Sequence, residues 1–165
     1  MALMVLAGTL HASEPLATVA SVDLKRYVGT WYEIARYPNR FQKDCQGDTT
    51  ANYTLLANGN IQVVNSCRQA NGKTDTARGK AKIVDKTSNA RLKVTFFWPF
   101  YGDYWIIGLA PDYRYAIVGE PGRKYLWILS RTPKMSAGDY AEALETVRSA
   151  GYDPDRLMST PQSER

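Results

Sequence analysis

Histidine is almost missing. The 165 residues contain one, His11, inside an N-terminal stretch expected to be removed on export. The rest of the chain lacks the usual general base at neutral pH, the commonest metal ligand and the axial ligand of most haem sites. Cysteine is scarce too. Cys45 and Cys67 stand alone, with no C-x-x-C pair and no histidine beside them to complete a zinc site. There is no Gly-x-Ser-x-Gly elbow and no phosphate-cradling glycine loop. The expectation is a chain with no enzymatic activity, no metal and no cofactor. Long apolar runs are also lacking, since none approaches the roughly 20 residues that cross a bilayer as a helix. The net charge is +5, yet no block of Lys and Arg appears. Lys80, Lys82, Lys86, Arg91 and Lys93 are spread out and interleaved with Asp85. That pattern argues against nucleic acid and for a solvated basic surface, with weak attraction to anionic membranes as the next reading.

What is present is a single domain's worth of ordinary globular composition, 44% hydrophobic and 22% charged. Aromatics reach 12%, with eleven tyrosines and four tryptophans, which suits a β-protein with a lined interior. Residues 1–12 read as a truncated export signal with a cleavage point after Ala12, although a basic leading segment is missing. Leu6-Ala7-Gly8-Thr9 has the shape of a lipoprotein cleavage box with Thr9 where the lipid-bearing cysteine would stand. A hydroxyl forms no thioether, so the sequence as written predicts a soluble exported product. In an exported chain Cys45 and Cys67 pair as a disulfide or stay as two buried thiols. If Asn58-Gly59 centres a two-residue hairpin, Cys67 falls opposite Thr50 and not Cys45. A bridge then needs a bulge or a fold-back of the preceding segment.

Residues 13–22 read as a loose leader. A helical turn over Asp23 to Tyr27 leads into a first strand, Gly29 to Tyr37, which Pro38-Asn39 ends. Further strands follow at Thr49 to Leu56, Ile61 to Ser66, Lys80 to Val84, Leu92 to Phe97, Tyr104 to Leu109, Tyr115 to Gly119 and Tyr125 to Ser130. Turn signals separate them, among them Asn58-Gly59, Asn71-Gly72, Pro111-Asp112 and Glu120-Pro121-Gly122. Eight short strands with tight turns predict an all-β sandwich or an up-and-down barrel, and closure removes exposed edges. After Thr132-Pro133 the period changes. Ser136 to Asp139 caps a helix running to about Ser149, with Tyr140, Ala143, Leu144 and Val147 on one face and Gly151 as its stop. The polar tail, residues 160–165, is expected to be disordered.

Three separated segments resemble one family. Gly29-Thr30-Trp31 at the start of the first strand looks like the lipocalin G-x-W signature. Asp112-Tyr113, between the sixth and seventh strands, resembles the second lipocalin region, and Arg131 after the eighth strand resembles the third. Longer runs, Tyr27 to Arg36, Phe97 to Tyr104 and Tyr125 to Pro133, resemble the bacterial outer-membrane branch, which is similar to the apolipoprotein D and plant temperature-induced lipocalins. The resemblance covers roughly residues 23–158. It implies an eight-stranded antiparallel up-and-down barrel with a C-terminal helix on its wall, residues 23–159 forming the domain. It also implies a periplasmic or outer-membrane location, against which Thr9 stands as a departure. Trp31 would plug one end and Arg131 would lie across its indole, a structural pair.

Strand parity anchored on Trp31 and guided by the resemblance gives the inward side chains. The expected ligand contacts are Ala35, Tyr37, Ala51, Tyr53, Ile61, Val63, Val94, Phe96, Tyr104, Ile106, Val118, Tyr125 and Trp127. Small residues leave volume and aromatics give apolar walls, so a fatty acid, lysophospholipid or similar lipid is the expected ligand. The alternative is a filled barrel acting at membrane surfaces through its basic exterior and the loop around Trp98-Pro99-Phe100-Tyr101. A third reading, the cavity-thiol enzyme found among some lipocalins, needs Cys45 or Cys67 free and inward. Glu33 also points inward, with Arg131 or a tyrosine hydroxyl as its expected partner.

Overall fold

The computed structural model describes residues 14–97 and 99–164. The expected export signal (residues 1–12, with Thr9 and His11) and Trp98 lie outside the described residues. A short helix α1 (Leu24–Tyr27), capped by the Asp23 carboxylate on the Lys25 amide, delivers the chain to β1 (Gly29–Arg36). The strands β2 (Cys45–Leu55), β3 (Ile61–Gln69), β4 (Thr74–Ile83), β5 (Arg91–Phe97), β6 (Phe100–Leu109), β7 (Tyr115–Gly119) and β8 (Leu126–Ser130) follow. Each pairs antiparallel with the next, and β1 closes the ring against both β2 and β8. The fold is an eight-stranded closed barrel carrying the C-terminal helix α2 (Ala137–Ser149).

The β2–β3 turn shows how local chemistry sets register. Leu56 N–H bonds the Asn60 carbonyl, leaving three loop residues with Gly59 at φ +84°. Glycine takes that left-handed conformation without penalty. The three-residue loop pairs Thr50 with Ser66, one step away from the two-residue hairpin expected from Asn58-Gly59. Higher up, β2 shifts register twice between Cys45 and Thr50, with Asp48 at φ +52°. These bulges bring Cys45 to 5.6 Å (Cα–Cα) from Cys67, and the two form a disulfide. Neither cysteine is free, which overturns the cavity-thiol alternative.

Two apolar clusters share the barrel wall. One lies inside and contains Trp31, Tyr53, Ile61, Val63, Ile106 and Val118. The other lies between the wall and α2, where Ala143 and Val147 pack against Ile107, Ile117 and Ile128. Gly108 lets α2 approach closely, since a Cβ there would sit 2.7 Å from Ile117 Cδ1 and 3.1 Å from Thr146 Cγ2. Ser136 caps α2 and Gly151, at φ +81°, follows its end, as the sequence predicts.

Residues 158–163, where the polar tail begins, are packed against the barrel. A two-residue strand β9 (Met158–Ser159) pairs with the top of β1. Thr160 N–H bonds the Ile34 carbonyl, and Asp48 N–H bonds the Pro161 carbonyl. Gln162 Nε2 reaches the carbonyls of both Glu33 and Thr49. The β1–β2 ladder covers only Gly29 to Tyr32 on β1, so the tail fills the seam left above it. The otherwise unpaired backbone of two diverging strands is what recruits this polar segment.

Candidate functional site

One end of the barrel is sealed. Gly29 sits at φ +102° and turns the chain under the barrel, with Arg131 Nη1 3.4 Å from where its Cβ would be. Trp31, fully buried, donates from Nε1 to the Tyr27 carbonyl at 2.8 Å. The Arg131 guanidinium lies 3.8 Å over the Trp31 ring and donates to the carbonyls of Arg26, Tyr27, Val28 and Thr30. Tyr113, at φ +64°, accepts from the Asp23 amide on its hydroxyl, and Arg26 stacks 4.0 Å from its ring. Asp112 accepts from Arg114, both backbone and side chain. Trp31, Tyr113 and Arg131 thus clamp α1 onto the closed end, with Gly29 turning the chain beneath it and Asp112 holding the neighbouring Arg114.

Above this floor sits a layer of three tyrosines. The Tyr104 hydroxyl bonds Tyr27 at 2.7 Å and Tyr53 at 2.9 Å. Burial raises the pKa of all three, to about 12 for Tyr53. Each stays neutral and able to donate at physiological pH. The space left among Tyr27, Tyr53, Ile61, Ala81, Leu92, Val94 and Tyr104 is about 10 Å³, room for no more than a water. Tyr53 and Ile61 line this small space, while Val63, Ile106 and Val118 are inward and buried in the same cluster, Val118 directly opposite Trp127.

The upper half is different. Gly102 faces inward opposite Val94, and a Cβ there would meet nothing within 4 Å. Ala77 is on the inward face of β4 yet exposed, and Phe96, lying over Gly79, is 37% exposed. Ala51, Val94, Tyr104 and Trp127 are only partly buried around the inner cluster. Inward side chains that remain open to solvent mean a hollow. At its mouth Tyr125 stacks on Trp127 (5.9 Å, 11° between planes), with Phe41 5.6 Å from Tyr125.

Ala35 and Tyr37 do not join this wall. β1 carries a bulge between Glu33 and Ala35, which inverts the alternation. Both side chains therefore pack in the outer cluster, and the Tyr37 hydroxyl donates to the Asp153 carbonyl. Glu33 does point inward but has neither expected partner. Its carboxylate accepts from Arg36 Nη1 (3.0 Å), Thr160 Oγ1 (2.5 Å) and Gln42 Nε2 (2.6 Å).

Sequence reasoning missed Gln42 altogether. Asn39 caps a single 3₁₀ turn, Arg40–Gln42, by accepting from the Phe41 and Gln42 amides. That turn aims Gln42 into the mouth, where its Oε1 accepts from Trp127 Nε1 at 2.9 Å. The available signal was Asn39 itself, a capping residue placed directly after the strand-ending Pro38.

A closed antiparallel barrel with one plugged end, one open end and an apolar lumen defines a calyx-type binding protein. Comparison with known proteins agrees. A family model described as a lipocalin-like domain matches residues 22–162. Temperature-induced lipocalin-1 of Arabidopsis thaliana is 42% identical over 157 residues, covering 90% of this chain and 84% of the relative. Outer membrane lipoprotein Blc of Escherichia coli (strain K12) is 40% identical over 148 residues, covering 89% and 83%. Among solved structures, insecticyanin from the tobacco hornworm superposes with a TM-score of 0.75 at 23% identity, covering 93% of this chain and 87% of that one, a likeness of fold alone. The chain belongs to the lipocalin family. Lipocalins are generally binding proteins and not enzymes, and membership implies a small hydrophobic ligand.

Proposed function

We propose that this lipocalin binds a single-chain lipid, a fatty acid or lysophospholipid, in the upper half of its barrel and carries or stores it in the cell envelope. The observation that supports this most directly is the open space at Gly102, on the inward face of β6 near the mouth, together with the incompletely buried inward side chains Ala51, Val94, Phe96, Tyr104, Tyr125 and Trp127. These residues are the proposed contacts. Each buried methylene of an acyl chain contributes about 0.8 kcal/mol. A dozen methylenes give a gross term of about 10 kcal/mol, which ordering reduces to micromolar affinity. The filled floor sets the depth, so the chain end rests on the tyrosine layer and the headgroup stands at the mouth. The disulfide is consistent with an exported protein.

Native mass spectrometry of purified protein tests the reading, followed by titration of a fatty acid and a lysophospholipid on Trp127 fluorescence. A co-purified lipid or saturable quenching is the expected result. Protein that is lipid-free and indifferent to both ligands overturns it.

A second reading, contact with membranes at the open end, rests on three exposed aromatics there. Phe41 in the 3₁₀ turn, and Phe97 and Phe100 at the facing ends of β5 and β6, are exposed around the mouth. Their replacement by serine is expected to weaken binding to vesicles that contain anionic lipid.

A further inference from the structure

The cations that look scattered in the sequence are gathered by the sheet. Outward positions on β4 and β5 alternate with the inward Ala81, Leu92 and Val94, so Arg78, Lys80 and Lys82 fall in a row down one strand. Alternate residues of a strand are about 7 Å apart. Lys82 stands directly opposite Lys93, and Arg91 lies one cross-strand step further. Like charges facing each other across a ladder cost stability. On the outward positions of β3 to β6 the one carboxylate is Asp103, bonded to Lys93 at 3.1 Å. Most of the chain's +5 therefore lies on this one wall. α2 packs on the other side, against β6 and β7, and leaves the wall bare.

We infer that the outer wall of β4 and β5 is an electrostatic docking face for a bilayer rich in anionic headgroups. The choice of partner follows from shape and chemistry. The wall is convex, so it offers a row of cations to a plane and no groove to a rod. Its two aromatics each carry a cation on one face, Tyr101 under Lys82 at 4.4 Å and Trp105 under Arg91 at 4.4 Å, which disfavours nucleobase stacking along the wall itself. The β5–β6 hairpin that ends this wall carries Phe97 and Phe100, 81% and 78% exposed. Cations along the side and apolar anchors at the tip of the same hairpin are the amphipathic pattern of a peripheral membrane contact. The barrel would then lie tilted, with β4 and β5 toward the headgroups and the mouth meeting the interface at an edge. The inference deepens the membrane reading above, and the lipid-in-barrel reading is independent of it.

The test is co-sedimentation with phosphatidylcholine vesicles, with and without a one-third share of phosphatidylglycerol, across ionic strengths of about 0.05 to 0.5 M. Binding is expected to need phosphatidylglycerol and to be lost at high salt. Each basic residue at an anionic surface contributes about fivefold, so the exposed triple change R78E/K80E/K82E lowers binding by at least about 100-fold. K25E/K134E, on exposed cations elsewhere, leaves it within about threefold. Lysophospholipid titration without vesicles is expected to be unchanged in the triple variant, so failure of docking and failure of the barrel reading are separately visible. If the triple change perturbs folding, K80Q/K82Q and the salt series carry the same question. Salt-insensitive binding, equal binding to neutral vesicles, an unaffected triple variant, or binding to heparin or DNA as tight as to vesicles overturns the inference.

Discussion

Thr160 Oγ1 donates to Glu33 Oε1 at 2.5 Å, joining residues 127 positions apart and fastening the C-terminal tail into the wall of the barrel. The same carboxylate oxygen accepts from Arg36, and both side chains are nearly excluded from water. Such a pair is strongly destabilised when one member loses its partners. Thr160→Val is expected to cost about 1–2 kcal/mol in urea unfolding. Removal of residues 158–165 is expected to cost more and to speed hydrogen exchange at the amides of Asp48 and of β1 above Tyr32. Unchanged exchange there would show that the tail does not close the seam.

The tail's second fastening is sensitive to acid. The Ser163 backbone amide, and then the Arg68 side chain, hold the Asp48 carboxyl below its ordinary value of 3.8. A lowered folded pKa stabilises above the unfolded value and is lost as pH falls from there through the lowered one. Protease clipping of the tail is thus expected to be flat from pH 7 to about pH 4 and to rise below it. In Asp48→Asn clipping should be high throughout and nearly independent of pH.

These two fastenings also mark where the sequence stops being readable. Period-2 alternation and turn residues make all eight strands legible, and Ser136 with Gly151 brackets α2. The signature residues Gly29, Trp31, Asp112, Tyr113 and Arg131 lie together at one end of the barrel. Bulges leave no comparable trace. One extra residue near Glu33 turns Ala35 and Tyr37 out of the barrel, and two register breaks in β2 carry Cys45 to Cys67. The tail could not be placed either, since what holds it is unpaired backbone on strands more than a hundred residues earlier. The division into a filled floor and an open upper lumen depends on side-chain volumes meeting across the barrel, which alternation does not encode.

Arg131→Met keeps much of the side chain's length while removing its charge and donors. Four backbone carbonyls lose a partner and Trp31 loses its cation. A loss of about 2–4 kcal/mol is expected in chemical denaturation. Arg131→Lys should recover only part of it, because an ammonium cannot reach all four oxygens from one plane.

The three floor tyrosines resist ionisation. Burial raises their pKa, so the folded state holds protons that the unfolded state releases, and stability falls as pH climbs past the ordinary tyrosine value of 10.0. Absorbance at the tyrosinate band is expected to leave these three untitrated until the barrel unfolds. Tyr104→Phe strands the hydroxyls of Tyr27 and Tyr53 and should cost about 1–3 kcal/mol.

The central claim, a lipid held above the floor, is tested most directly by calorimetric titration of a lysophospholipid into the wild type and Gly102→Leu. The leucine would project inward from β6 into the open space near the mouth. The account predicts saturable micromolar binding by the wild type, weakened about tenfold or more by the leucine with no loss of thermal stability. Equal affinity in both proteins, or no binding by the wild type, would contradict it.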